Sequence, residues 1–243
     1  MRSARRFVVL SARRCGSNRL CTILDAHPAI VCHHELFNPA GVFVALAQRS
    51  DPAPFGGVAA RERDPHAFLR AVWTMPGPHA CVGFKITPQQ VPADVFDALL
   101  ADRDVGKIVL RRDNVVRAFV SERIAERVGQ WEVYDAAQLP RDKPRVHVEP
   151  EELKRYAADV DAYYAAIARA LAGQPRLDLD HDAVGTLAEQ NRAFDFLDVA
   201  RVAAPIAARS VRQNPEPLAA LIDNHAELAA ALAGDRLAAV LED

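Results

Sequence analysis

The amino-acid sequence predicts an α/β fold of three layers, a largely parallel central sheet flanked by helices. Two observations carry that expectation. Short apolar runs rich in valine and isoleucine recur along the chain, and longer segments of helical period separate them. Strands that alternate with helices run parallel and bury both faces of their sheet. With 243 residues, half of them apolar, the chain is long enough for one sizeable core, so a single domain over residues 1–243 is expected.

The expected strands, in order, are Phe7–Ser11, Ile30–His33, Cys81–Ile86, Lys107–Arg111 and Arg176–Leu179. The expected helices are Ser17–Asp25, Pro92–Ala101, Asn114–Arg127, Glu151–Leu171, Gly185–Leu197 and Pro217–Leu232. In the longest, Leu153, Tyr156, Val160, Tyr163, Ile167 and Leu171 recur every three or four residues and mark a buried stripe. Pro150 with two glutamates opens that helix and Gly173 closes it. Arg49–Pro65, rich in proline, glycine and charge, reads as an exposed surface loop, and Gln138–Pro144 as a second.

Composition narrows the function. A net charge of -2 gives no reason to expect nucleic-acid binding. Charge is uneven, however: Arg2, Arg5, Arg6, Arg13, Arg14 and Arg19 all precede the first acid. The amino-terminal apolar run is too short for a signal peptide, and "FNPAGVFVALAQ" falls far short of a membrane span. Four cysteines form no CxxC pair, which suggests free thiols in a reducing cytoplasm.

The stretch "FVVLSARRCGSNRL" raises the functional question. A strand feeding a short loop and a helix points backbone N–H groups and the positive end of a helix dipole at one spot above the sheet edge. Gly16 permits the conformation such a loop needs, and Ser17 can cap the helix or donate to a bound oxygen. Asn18 stands at the same end. Arg13 and Arg14 add planar forks of donors suited to oxyanions. The ATP-type pattern GxxxxGK[ST] fails twice, with Ser11 in place of its first glycine and Ser17 in place of its lysine.

"SARRCGSNRLCTILDAHPAIVCHHELFNP" resembles the 5′-phosphosulfate loop, and the segment after it, of sulfotransferases that use 3′-phosphoadenosine 5′-phosphosulfate (PAPS). Many carbohydrate and tyrosylprotein members carry arginine in an RSGS/T-like sequence, which is Arg14-Cys15-Gly16-Ser17 here, with Cys15 replacing the more usual serine. "CHHELFNP" is similar to the bacterial branch. The resemblance implies a P-loop-like fold, PAPS as cosubstrate, no metal, and a carbohydrate or other small-molecule hydroxyl as acceptor. It implies Glu35 as general base and Arg14 at the 5′ end stabilising the leaving oxygen; His34, next to Glu35, is read from its position as a substitute or helper.

It also implies a second anchor for the 3′-phosphate. "KIVLRRDNVVRAFVSERIA" supplies a strand ending in Arg111 and Arg112 and a helix carrying Ser121, one residue further on than the family's usual spacing. Arg117 reads equally as a solvated helix residue. "SVRQNPEPL" resembles the late nucleotide-binding loop, where Arg212 and Gln213 would cover the nucleotide, and His181 stands where the family usually has tyrosine. Lys85 ends another strand and reads as a contact to acceptor or sulfuryl group, or as a solvated terminus. His33 and His34 alternate faces on a strand and so do not suit one metal. An ATP-dependent phosphotransferase and a non-catalytic nucleotide-binding module are the competing readings.

Overall fold

The computed structural model describes residues 4–49, 53–75, 77–87, 89–140 and 142–242. Arg2 of the basic amino-terminal group lies outside them, as do residues 50–52 and 141 of the two expected loops. The strands are β1 (Arg5–Ser11), β2 (Ile30–His33), β3 (Cys81–Ile86), β4 (Val105–Arg111) and β5 (Arg176–Asp180). The helices are α1 (Ser17–Asp25), α2 (Val58–Arg63), α3 (Pro65–Trp73), α4 (Ala93–Ala101), α5 (Val115–Val128), α6 (Pro150–Ala170), α7 (Leu187–Phe196), α8 (Leu218–Leu221), α9 (His225–Ala231) and α10 (Arg236–Leu241).

The five strands form one parallel sheet in the order β2-β3-β1-β4-β5. Strict alternation along β1 explains the layering. Val8 and Leu10 pack on one face with Phe68 and Val72 of α3, Val95 and Leu99 of α4, and Tyr164 and Ile167 of α6. Phe7 and Val9 pack on the other with Leu20 and Leu24 of α1 and Phe194 of α7. A third apolar cluster joins α5 to α6 and to α8, α9 and α10. The three-layer α/β class expected from the sequence is the observed one.

Strand order also fixes where a ligand would sit. The chain leaves β1 toward β2 on one side and leaves β4 toward β5 on the other. The loops after β1 and β4 therefore part, and open a crevice at the carboxyl edge of the sheet. The Tyr164 hydroxyl closes the bottom of that crevice. It accepts from Ala12 N at 2.9 Å, just past β1, and donates to Leu110 O at 2.7 Å, near the end of β4.

Two expectations need correction. Arg49–Pro65 is not a plain surface loop. It contains α2 and the first residue of α3, because Asp64 accepts from Ala67 N at 2.8 Å as a helix cap and Pro65 fits the first turn. Phe55 of the same stretch is buried, edge-on to Phe68 and His33. The helix expected over Pro217–Leu232 is broken into α8 and α9. Val146 pairs with the backbone on both sides of Ile222, and Asn224 binds both polar groups of Val148, so the chain between them is held extended. The helix expected over Gly185–Leu197 spans only Leu187–Phe196, behind a Thr186 cap, and α10 was not anticipated.

Tyr164→Phe would strand a buried N–H and a buried carbonyl, costing about 1–3 kcal/mol for each. Denaturant unfolding should show that loss with no change in far-ultraviolet circular dichroism.

Candidate active site at the carboxyl edge of the sheet

The crevice is part of a cleft of about 1220 Å³ whose lining includes Arg13, Arg14, Gly16, Ser17 and Asn18 after β1, His34 and Glu35 after β2, Thr87 and Gln90 after β3, and Arg112 after β4. Ser121, Arg212 and Gln213 line the same cleft. Residues far apart in sequence meet there because every parallel strand ends at this edge.

The loop after β1 is shaped by two left-handed residues, Arg14 at φ 57° and Gly16 at φ 78°. Gly16 is required twice over, since a Cβ there would stand 2.3 Å from His181 Nδ1. His181 Nδ1 bonds the carbonyl of Cys15 at 3.0 Å, and Arg112 Nη1 donates to that of Arg14 at 3.1 Å. With those carbonyls tied back, none of the backbone N–H groups of residues 13–19 has an acceptor among the described residues. Such a run of unused donors is a nest for an anion. Gly16, not Ser17, occupies the helix cap position, and the Ser17 hydroxyl makes no bond to the described residues. The Cys15 thiol is buried beneath the Tyr164 hydroxyl at 3.6 Å, and burial raises its pKa. Cys15, expected from the sequence to bind the cosubstrate, is not among the residues that line the cleft.

One end of the cleft is cationic. The Arg14 guanidinium donates to Ser121 Oγ at 3.0 Å, Trp131 O at 2.6 Å and Gln213 Oε1 at 2.5 Å. These acceptors are all neutral. Among the described residues Arg14, Arg112 and Arg212 have no ion-pair partner, whereas Arg13 is paired with the buried Glu122 at 3.0 Å. Burial lowers the pKa of Arg14 and of Arg112, so their positive charge carries a cost that a bound anion would offset. Arg117 also lines this end and donates to Glu216 O at 3.0 Å. Arg111 points elsewhere, stacked 4.5 Å over the Tyr164 ring.

The other end holds a carboxylate. Lys85, only 6 % exposed, places its ammonium 2.6 Å from Glu35 and 2.5 Å from Asn18 Oδ1. Asn38 and Gln90 donate to the same carboxylate at 2.5 and 2.8 Å. Burial works against the Glu35 charge, but Lys85 and the two amides outweigh it and hold its pKa at about 2. His34 stands beside Asn18 at 3.3 Å and Tyr134 at 3.5 Å. Burial and then the Lys85 charge push its pKa down to about 3, and its Nε2 has no partner among the described residues. His33 faces away, accepting from Ala45 N and packing on Phe55. The described residues contain no group of three or more His, Cys, Asp or Glu that could hold a metal ion.

The sequence alone missed Glu132 and Tyr134, joined at 2.6 Å and tied to Arg49. It also missed Trp131, Thr87 and Gln90. The "TPQQ" run directly after β3 was a readable signal, since side chains past a strand end stand at the crevice. Glu132 and Tyr134 follow a helix with no local pattern.

No known family profile matches this chain, and no curated protein matches it. Among solved structures, a sulfotransferase from Alicyclobacillus acidocaldarius is similar in fold, with a TM-score of 0.51 and 20% sequence identity over 99% of this chain and 96% of that one. No helix among the described residues is long and apolar enough to cross a membrane, and all four cysteines are buried and free.

Two outcomes follow from this geometry. Gly16→Ala should destabilise the fold by about 1–3 kcal/mol, through the positive φ and the displaced His181 ring, as read by thermal unfolding. The ionised Glu35 should contribute its full stability above pH 4.5, its ordinary value, and lose it as pH falls toward 2. Glu35→Gln should flatten that acid limb in denaturation measured from pH 7 to pH 2.

Proposed function

We propose that this protein is a sulfotransferase that moves the sulfuryl group of PAPS to a hydroxyl of a carbohydrate or other small molecule. The observation that carries this reading is one cleft with unneutralised arginines at one end and a buried lysine–carboxylate pair at the other. The loop of unused N–H groups lies between them. A nucleotide with a phosphate at each end of its ribose matches two anion sites, and a cleft of about 1220 Å³ leaves room for an acceptor beside it. The fold likeness supports the same class.

In this reading Arg112, Ser121, Arg212 and Gln213 hold the 3′-phosphate. The bonds from Arg14 to Ser121 and Gln213 favour Arg14 acting there too, rather than at the sulfated end expected from its place in the loop. The donors of Gly16, Ser17 and Asn18 receive the 5′-phosphate. Lys85, next to Asn18, faces the oxygen on which negative charge builds as the S–O bond to the phosphate breaks. Glu35 takes the proton of the acceptor hydroxyl while its oxygen forms the new S–O bond, and His34 supports it. Transfer leaves a sulfate ester and the adenosine bisphosphate.

A carboxylate at pKa about 2 is a weak base, and Lys85 is the reason. Once Lys85 shares its charge with sulfuryl oxygens it no longer depresses Glu35 to that extent, so donor binding itself raises the basicity needed for transfer. An ATP phosphotransferase is disfavoured because Ser17 stands where the phosphate-gripping lysine would be.

Calorimetry should show adenosine 3′,5′-bisphosphate binding more tightly than ADP or ATP. Binding of ATP with none of the bisphosphate would refute the reading. Glu35→Ala should keep bisphosphate affinity while turnover falls roughly 10²–10⁴-fold. A non-catalytic module would have no turnover to lose.

A further inference from the structure

The two oxygens of the Glu35 carboxylate meet different partners. Oε2 accepts from Asn38 Nδ2 at 2.5 Å and from Gln90 Nε2 at 2.8 Å. Oε1 has Lys85 Nζ, at 2.6 Å, as its one partner among the described residues. A carboxylate oxygen offers about two lone pairs, so the amides fill Oε2 while Oε1 keeps a site free.

The amides come from different loops, and the direction of the first is fixed. Asn38 stands in the turn after β2, where its N–H donates to Glu35 O at 3.3 Å. Its Oδ1 accepts from Ala40 N at 2.8 Å, which leaves Nδ2 as the end that faces the carboxylate. Arg61 of α2 is buried and holds the same turn, donating through Nη1 to the carbonyls of Leu36, Asn38 and Gly41. Gln90 reaches Oε2 from the loop after β3, where its N–H closes a turn onto Thr87 O.

An amide N–H cannot take up a proton, and protonating Oε2 would set an O–H against one of its two donors. Oε1 meets no such conflict once Lys85 shares its charge with sulfuryl oxygens. Two donors on one oxygen also stop the carboxylate from rotating, so the other oxygen keeps a single direction. The remaining ionisable neighbours, His34 after β2 and Arg14 after β1, act on Glu35 through charge and make no hydrogen bond to it among the described residues. We infer that Glu35 Oε1 is the oxygen that receives the acceptor proton, and that Asn38 and Gln90 are positioning residues that hold Oε2 and so aim Oε1. This inference rests on the sulfotransferase reading with Glu35 as base.

Positioning and plain charge stabilisation predict opposite results. Both amides favour the ionised carboxylate, so removing either makes Glu35 a stronger base. Were charge stabilisation their whole role, turnover would rise. If they aim Oε1, turnover falls although basicity has grown.

The test uses the full chain with Gln90→Met and Asn38→Ser, the latter keeping an oxygen for Ala40 N. Carbon-13 NMR of the Glu35 carboxyl, identified with Glu35→Gln, follows its protonation from pH 7 to pH 2. Each variant should move the midpoint up from about 2 by roughly one pH unit. Turnover is read at pH 7, where Glu35 stays ionised in every protein, with labelled PAPS and four probes: glucose, phenol, octanol and water. On the probe that the native protein uses best, each variant should lower kcat about ten-fold, with KM for PAPS and affinity for adenosine 3′,5′-bisphosphate held within about two-fold.

A kcat unchanged or raised in both variants, or a midpoint moved in neither, overturns the inference and leaves the donor reading intact if the bisphosphate binds. Absence of transfer to every probe by the native protein overturns Glu35 as base and the inference with it. Failure of the bisphosphate to bind overturns the sulfotransferase reading itself. Should one variant fail to fold, the other decides.

Discussion

One hydroxyl group holds the geometry on which the cleft depends. Tyr164 reaches from α6 into the seam between β1 and β4, where two parallel strands hand their chains to opposite sides of the sheet. Parallel strands cannot satisfy one another past their ends, so the last N–H and carbonyl at a switch point need a partner from elsewhere. Tyr164 provides it for both. The loop that follows Ala12 then starts from a fixed position, and its left-handed Arg14 and Gly16 can turn their N–H groups outward. The Arg111 guanidinium over the same ring seals this corner from above.

Charge is distributed across the cleft in two contrasting ways. At the far end, Arg14 and Arg112 are desolvated without a carboxylate to repay the cost, and their neutral partners merely orient them. At the near end, Lys85 and Glu35 neutralise each other at 2.6 Å, so the carboxylate proposed as the base is held in a quiet form. The first arrangement attracts anions at all times. The second changes only when an anion competes for Lys85. In the proposed function, the two arrangements together would have the cosubstrate bind before the acceptor proton is taken.

Much of this was legible in the sequence, for reasons that differ by element. Four strands were visible because both faces of a parallel sheet are buried, so each carries an apolar run, whereas the edge strand β5 shows itself by the alternation of Leu177 and Leu179 with charged residues. The stripe of α6 was equally plain. The region after Arg49 was misread because Asp64 and Pro65, which punctuate loops, also start helices, and only the buried Phe55 distinguishes the cases. The break at Ile222–Asn224 depends on a distant partner, Val146, that no local pattern could reveal. In the cleft, the loop residues from Arg13 to Asn18 and the segment from His34 to Glu35 could be named in advance because chemistry and spacing coincide there. Which way Arg14 points could not, since its direction is set by Ser121 and Gln213, more than a hundred residues away in the chain.

On the proposed reading, one bound molecule engages two anion-binding sites of the cleft at once. The direct measurement is a cycle of four dissociation constants: adenosine 3′,5′-bisphosphate and adenosine 5′-monophosphate, each with the native protein and with Arg112→Ala. If the arginine end receives the 3′-phosphate, removing that phosphate weakens binding to the native protein by about two orders of magnitude, as expected for a lost charge-assisted contact, and weakens binding to the variant far less. Equal losses in the two proteins would mean that Arg112 and the 3′-phosphate do not meet, and would contradict the account.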